Sequence, residues 1–145
     1  MPKIKLDIVS AERLLLSEEV DYISAPGEGG IVGILPRHTP LLTALAIGEL
    51  RYKKENEEFT FAIHGGFMEV RPDRVTVLAD VAEQADEIDE ARAEEARKRA
   101  QELLREKPHA DADFAMLEQS LRRAELRVRV ARRKHGGARP EVRDQ

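Results

Sequence analysis

Helix-breaking residues stop abruptly part-way along this 145-residue chain. Seven of the nine glycines fall within residues 1–66, the other two are Gly136 and Gly137, and Pro108 is the only proline between Asp73 and Arg139. Five of the six aromatic residues (Tyr22, Tyr52, Phe59, Phe61 and Phe67) precede residue 80, and only Phe114 follows it. Glycine and proline punctuate short strands and turns, whereas long stretches of Ala, Glu, Arg and Leu favour helix. The chain therefore reads as two unlike parts with a boundary near Asp80–Asp86: residues 1–84 and 85–135, followed by a tail, 136–145, expected to be disordered.

In the first part, Ile4, Leu6 and Ile8 alternate with Lys3, Lys5 and Asp7, the pattern of a half-buried strand. Further apolar runs cover Val20–Ala25, Ile31–Leu35, Leu41–Ala46, Glu49–Lys54, Phe59–Ile63, Phe67–Arg71 and Val75–Ala79. Turn residues separate them, among them Pro26-Gly27, Gly48, Asn56, Gly65-Gly66 and Pro72-Asp73. Many short strands with no helix between them predict an antiparallel sandwich or barrel.

The second part predicts two helices and a hinge. The first runs from Asp86 or Ile88 to Glu106 and the second from Asp111, as its N-cap, to Lys134. Lys107-Pro108-His109-Ala110 joins them, since Pro108 lacks the amide that would continue the first helix. So short a link favours an antiparallel hairpin. Phe114, Leu117, Leu121, Ala124, Val128 and Ala131 step by three and four along one seam. Ile88, Ala93, Ala96, Ala100 and Leu103 would face them. Alanine buries little area, so this contact is close but weak. That suits a switch, and equally a small permanent hairpin.

Charge is polarised along the hairpin. Residues 82–95 hold seven acids and one base, and residues 121–139 hold eight bases and one acid. Antiparallel folding would set the basic end of the second helix beside the acidic start of the first. If the hairpin opened, the basic helix would be free for an acidic partner, nucleic acid or a membrane surface. Its Ala-rich seam, without Trp or Phe near the basic end, makes it a poor lipid anchor.

Several chemistries are disfavoured. With no cysteine there is no disulfide, thiolate metal site or thiol nucleophile. The histidines His38, His64, His109 and His135 are scattered, with no metal-ligand spacing. Gly27–Gly33 is glycine-rich but precedes a strand and lacks the Lys-Ser/Thr of a phosphate loop. No apolar run would span a membrane, and the first residues lack a signal-peptide core, so a cytoplasmic protein is expected. Arginines supply the one candidate site. Arg92 and Arg99 share a face of the first helix, and Arg123 and Arg127 a face of the second. Together they would make a polyphosphate site, with Glu83 or Asp89 for a nucleoside hydroxyl or amine. A solvated face with pairs such as Glu95–Arg99 has the same spacing.

Two longer motifs narrow the choice. They are Gly33-Ile34-Leu35-Pro36-Arg37-His38-Thr39-Pro40-Leu41-Leu42-Thr43, followed by Gly48-Glu49-Leu50, and Gly65-Gly66-Phe67-Met68-Glu69-Val70, followed by Val75–Asp80 and Ala82-Glu83. With Ile88-Asp89-Glu90-Ala91-Arg92-Ala93 after them, residues 3–134 resemble the epsilon subunit of the rotary F-type ATP synthase.

The resemblance implies a ten-stranded antiparallel β-sandwich followed by an antiparallel two-helix hairpin. It implies a non-catalytic central-stalk subunit of a proton-translocating enzyme, peripheral on the cytoplasmic face of the bacterial cell membrane. Its sandwich would contact the gamma subunit and the c-subunit ring, with Glu28, Arg37 and His38 as ring contacts. Its hairpin would inhibit ATP hydrolysis when extended into the alpha/beta catalytic head. Arg122, Arg123, Arg127, Arg129, Arg132 and Arg133 would then meet the beta subunit. No cofactor is required, but ATP is implied as a regulatory ligand of the folded hairpin, held by Glu83, Ile88, Asp89, Arg92, Ala93, Arg99, Arg123 and Arg127. The competing reading is a β-sandwich adaptor whose basic helix binds nucleic acid, which would be steeply salt-dependent.

Overall fold

In a computed structural model of the chain, residues 2–107 and 109–134 are described. The hinge proline, Pro108, and the tail 136–145 lie outside them. Eight strands come first: β1 (Ile4–Val9), β2 (Leu14–Val20), β3 (Tyr22–Gly27), β4 (Gly30–Ile34), β5 (Leu41–Lys54), β6 (Glu57–Val70), β7 (Arg74–Ala79) and β8 (Ala82–Gln84). A 3-10 turn at Ala85–Glu87 leads to α1 (Glu90–Glu106) and α2 (Phe114–Ala131), and a 3-10 turn, Arg132–Lys134, follows.

The strands hydrogen-bond in the order β2-β1-β7-β6-β5-β3-β4, with β8 added to β6. Two long strands turn this single path into two layers. β7 pairs only with the second half of β6, from Gly66 to Val70, and β8 only with Phe61–Ile63 in its first half. Between those halves Gly65 and Gly66 have φ of 88° and 130°, values that side chains other than glycine's rarely allow. A Cβ on Gly66 would lie 2.2 Å from the Leu78 carbonyl oxygen. The strand bends there because no side chain occupies the bend. Ile4, Leu6, Ile8, Ile23, Leu50, Tyr52, Phe61, Ile63 and Met68, all fully or almost fully buried, fill the space between the layers.

Several sequence expectations need correction. The sheet is mixed, not wholly antiparallel, because β1 runs parallel to β7. Among the described residues the continuous strands number eight, not ten. The runs read as Leu41–Ala46 and Glu49–Lys54 are one strand, as are Phe59–Ile63 and Phe67–Arg71. Gly48 lies inside β5, where a Cβ would come 2.6 Å from Pro26. It permits close packing and makes no turn. The run Val20–Ala25 is broken at Asp21 between β2 and β3, and the edge strand β2 and the three-residue β8 were not read as strands.

In the hairpin, Ile88 precedes α1, and Asp89 is its N-cap, accepting from the Arg92 amide at 3.2 Å. The N-cap position of α2 is Asp113, not Asp111. Asp111 instead accepts from the Asp113 amide at 2.8 Å, one turn earlier.

The expected seam accounts for only one face of α2. Ala124, Val128 and Ala131 are buried as predicted, but so are Leu126 and Val130 on the adjoining face. These join Ala62, Ala85, Ile88 and Ala93 in a second apolar cluster, against which Ile47 packs. The basic half of α2 therefore lies on the sandwich as well as on α1. In β6, Phe59, Phe61 and Ile63 point into the sandwich while Thr60, Ala62 and His64, also buried, point to the opposite face, where Ala62 meets the helices.

Candidate functional site

Where α2 crosses β5, β6 and β8, two sandwich carboxylates receive arginines of α2 and of the 3-10 turn that follows it. Arg127 donates through Nε to Glu83 Oε1 at 2.9 Å and through Nη2 to Oε2 at 3.0 Å, a two-pronged contact. Arg129 donates through Nε to Glu49 Oε2 at 2.8 Å. Arg133 donates through Nε to Glu49 Oε1 at 2.8 Å and through Nη2 to Oε2 at 3.3 Å. Glu49 is thus shared by these two guanidiniums and that of Arg51, whose Nη2 donates to Oε1 at 3.4 Å, and its side chain is 12% exposed. Arg132 turns instead to α1, donating to Glu90 at 2.9 Å and lying 3.6 Å from Glu94. The predicted juxtaposition of the basic end of α2 with the acidic start of α1 is real, but Arg132 makes it, while Arg127, Arg129 and Arg133 serve the sandwich.

Glu83 is placed by β8, whose pairing sets it opposite Ala62. His64 Nε2 lies 3.2 Å from Glu83 Oε1, and the His64 ring is 5% exposed. Its Nδ1 is buried with no hydrogen-bond partner among the described residues. The contact with His64 lowers the Glu83 carboxyl most. Burial works against it, and Arg127 adds to the lowering, leaving the value at about 2. For Glu49, burial would raise the carboxyl, but the guanidiniums of Arg133 and Arg129 outweigh it and hold it below its ordinary value.

The structure brings part of the expected nucleotide site together. Glu83, Arg123 and Arg127 line one cleft with His64, Asp80 and Val81, a cavity of about 420 Å³. Arg92 and Arg99 are exposed on α1, with Arg99 Nη2 3.3 Å from Glu95, the predicted surface pair. They occupy the flank of α1 away from Glu94 and Arg97, which pair with each other. Ile88 and Ala93 are buried in the apolar cluster beneath. Asp89 caps α1.

The three ring-contact candidates lie at the two ends of β4. Glu28 is exposed in the turn before β4. Arg37 and His38 follow the other end of that strand, where the Arg37 amide donates to the Pro72 carbonyl at 2.8 Å. Arg37 is held at φ 69°, a left-handed conformation fixed by that corner. Arg122 is exposed on α2.

Sequence reasoning missed Glu49, Leu126 and Val130. Leu126 and Val130 are four apart and offset from the seam, so a second stripe was legible. Glu49 gave no comparable signal, because only the fold sets β5 beneath α2. No group of three or more His, Asp or Glu among the described residues is placed to hold a metal ion.

Residues 3–85 match the family described as ATP synthase, Delta/Epsilon chain, beta-sandwich domain, and residues 86–132 match ATP synthase, Delta/Epsilon chain, long alpha-helix domain. The chain is 57% identical over 129 residues to the ATP synthase epsilon chain of Herpetosiphon aurantiacus, covering 89% of this chain and 94% of the relative. It is 56% identical over 137 residues to that of Dehalococcoides mccartyi, covering 93% and 98%. Its backbone is similar to a chain of the Euglena gracilis mitochondrial ATP synthase OSCP/F1/c-ring structure, with TM-score 0.75 and 25% identity, over 86% of this chain and 79% of the other. With both parts matched in order and nearly full-length relatives more than half identical, the chain belongs to the delta/epsilon chain family of ATP synthase, among its epsilon chains.

Proposed function

We propose that this chain is a central-stalk subunit of a proton-translocating F-type ATP synthase, peripheral on the cytoplasmic face of a bacterial cell membrane. It turns with the gamma subunit and the c-subunit ring while catalysis proceeds in the alpha/beta head. The subunit itself is not catalytic. The relatives' names support the assignment to the enzyme. No described helix is long and apolar enough to cross a membrane, in keeping with attachment through other subunits.

The sandwich offers a face for the stalk. Leu14, Val9, Leu78, Phe67 and Ala44 are successive cross-strand partners over β2, β1, β7, β6 and β5. Leu14, Leu78 and Phe67 are more than half exposed, an apolar row on the outer surface. We assign this row to gamma, and Glu28, Arg37 and His38 to the ring.

The hairpin is a releasable inhibitor, and one observation carries this reading. The basic end of α2 is held by guanidinium–carboxylate contacts over a small apolar patch, half of whose buried members are alanine. Partly exposed ion pairs contribute little each, so docking is reversible at modest cost. Released, Arg122, Arg123, Arg127, Arg129, Arg132 and Arg133 face an acidic surface of the beta subunit and stop hydrolysis. ATP favours the docked form by bridging Arg123 and Arg127 to Arg92 and Arg99. Glu83, Ile88, Asp89 and Ala93 frame that site. The nucleic-acid reading has no support from the family. It also needs a basic face that here is largely paired within the chain.

Truncation after Ile88 tests the reading. Hydrolysis by the reconstituted enzyme rises if the hairpin inhibits, and unchanged hydrolysis removes the inhibitory role. Calorimetry with ATP tests the ligand: Arg92→Ala and Arg123→Ala each weaken binding, and wild-type binding by both shows the site is elsewhere.

A further inference from the structure

The side of the hairpin that faces away from Arg123 and Arg127 holds a second cluster of arginines. Residues two apart on a helix point to nearly opposite sides, and Arg129 follows Arg127 by two. Arg129, in the last turn of α2, and Arg132 and Arg133, in the 3-10 turn after it, line a cavity of about 650 Å³ together with Arg97 of α1. Each of these guanidiniums is anchored through Nε. Arg129 and Arg133 donate to Glu49 at 2.8 Å, Arg132 to Glu90 at 2.9 Å and Arg97 to Glu94 at 3.0 Å. Arg97 also spends Nη1 on Gln101 at 3.2 Å and Nη2 on Glu94. Among the described residues Arg129 keeps both terminal amino groups, while Arg132 and Arg133 keep Nη1. All three residues are exposed, so a ligand can reach them. Their orientation is fixed before any ligand arrives, which removes part of the entropic cost of binding.

The three donor ends spring from about 6 Å of helix. An acceptor that meets them all must carry several charges at short spacing. An extended peptide sets carboxylates of one side about 7 Å apart. Adjacent phosphates concentrate their charge more closely, and guanidinium forks match phosphate oxygens. Val128 is the one apolar residue in the lining, and no aromatic ring lines the cavity among the described residues, so a nucleobase would find nothing to stack on. Of the two carboxylates in the lining, Glu94 is taken by Arg97 and Arg132, and Glu125 is exposed. We propose that Arg129, Arg132 and Arg133 form a binding site for inorganic diphosphate or a longer inorganic polyphosphate. This site is separate from the nucleotide site proposed above and does not depend on it.

Calorimetry on the full-length chain, with pyrophosphate as the probe, tests the site, and amide NMR shifts locate it. Wild type binds, with the largest shifts over residues 128–133. Arg129→Gln weakens binding by at least about tenfold. Arg129 also holds Glu49, so a second variant leaves the helix contacts alone. Glu125 makes no hydrogen bond or ion pair among the described residues, and Glu125→Gln removes a repelling charge and tightens binding about threefold. The double variant Arg92→Ala, Arg123→Ala keeps the wild-type affinity.

No binding by wild type, or equal binding by wild type and Glu125→Gln, overturns the site. Loss of binding in the Arg92→Ala, Arg123→Ala variant puts the anion on the other side of the hairpin and overturns it as well. Two competitors test the ligand in that double variant. ADP binds no tighter than pyrophosphate, and a glutamate-rich peptide displaces pyrophosphate only in large excess. Tighter binding of ADP assigns the site to a nucleotide, and displacement by equimolar peptide assigns it to a protein partner. Either result overturns the inorganic ligand.

Discussion

Acid should loosen this protein through Glu83. In the folded chain His64 and Arg127 hold the Glu83 carboxyl at about 2, against 4.5 for an ordinary one, despite the opposing effect of burial. At about 1.4 kcal/mol per pH unit, that gap sets a ceiling of about 3 kcal/mol. The Glu83 side chain is 23% exposed and its cleft opens to water. Screening therefore brings the expected contribution down to about 1–2 kcal/mol. The folded value lies below the unfolded one, so the contribution is complete above 4.5 and disappears as pH falls towards 2. Denaturant unfolding followed by far-UV circular dichroism measures this in wild type and Glu83→Gln. The stability difference between them should be about 1–2 kcal/mol near pH 6 and less than half of that by about pH 3. Glu49, also lowered, contributes to both proteins and largely cancels. A difference that is absent near pH 6, or that persists undiminished at about pH 3, would refute the assignment of the contacts around Glu83.

Ala62→Leu should overpack the α2 interface by about 1–3 kcal/mol, lowering hydrogen-exchange protection of α2 while the sandwich keeps its own. Phe67→Glu places a charge in the middle of the exposed apolar row, and a gamma-subunit binding assay should show affinity reduced by at least about tenfold. Asp89→Ala removes the cap of α1 and should cost about 1 kcal/mol, read as earlier melting of the helical signal.

The boundary between the two parts was legible because the residues that forbid long helices are confined to one of them. Alternation placed β1 and β7 closely, since each has one face in the core and one outside. It also found Phe59–Ile63 and Phe67–Arg71, but as two runs: the glycines Gly65-Gly66 look like a turn, and that one strand passes through them was not legible. Glycine misled at Gly48, where a residue needed for close packing looks like one needed for a turn. The basic cluster was readable as charge, and its contact with the acidic start of α1 followed from antiparallel folding. Its main contact did not, because Glu49 lies about eighty residues away along the chain, and no local pattern marks that pairing. Likewise Arg123 and Arg127 share a helix face as their spacing requires, but which carboxylate Arg127 meets depends on where β8 adds to the sheet.

The unbroken run of β5 and β6 has a consequence for how this protein changes over time. These two strands carry the seat of α2 at one end, at Glu49 and Ala62, and the outward apolar row at the other, at Ala44 and Phe67. Both surfaces lie on the same two strands, whose side chains alternate between faces on either side of the Gly65-Gly66 bend, across which the parity changes: Phe61 and Ile63 face the core before it, Met68 and Val70 after it. A one-residue insertion within either strand would turn a carboxylate or an aromatic ring to the wrong side beyond that point. Substitutions can tune each surface separately, but length changes here cannot, so this β-hairpin should tolerate variation in residue type and resist variation in length.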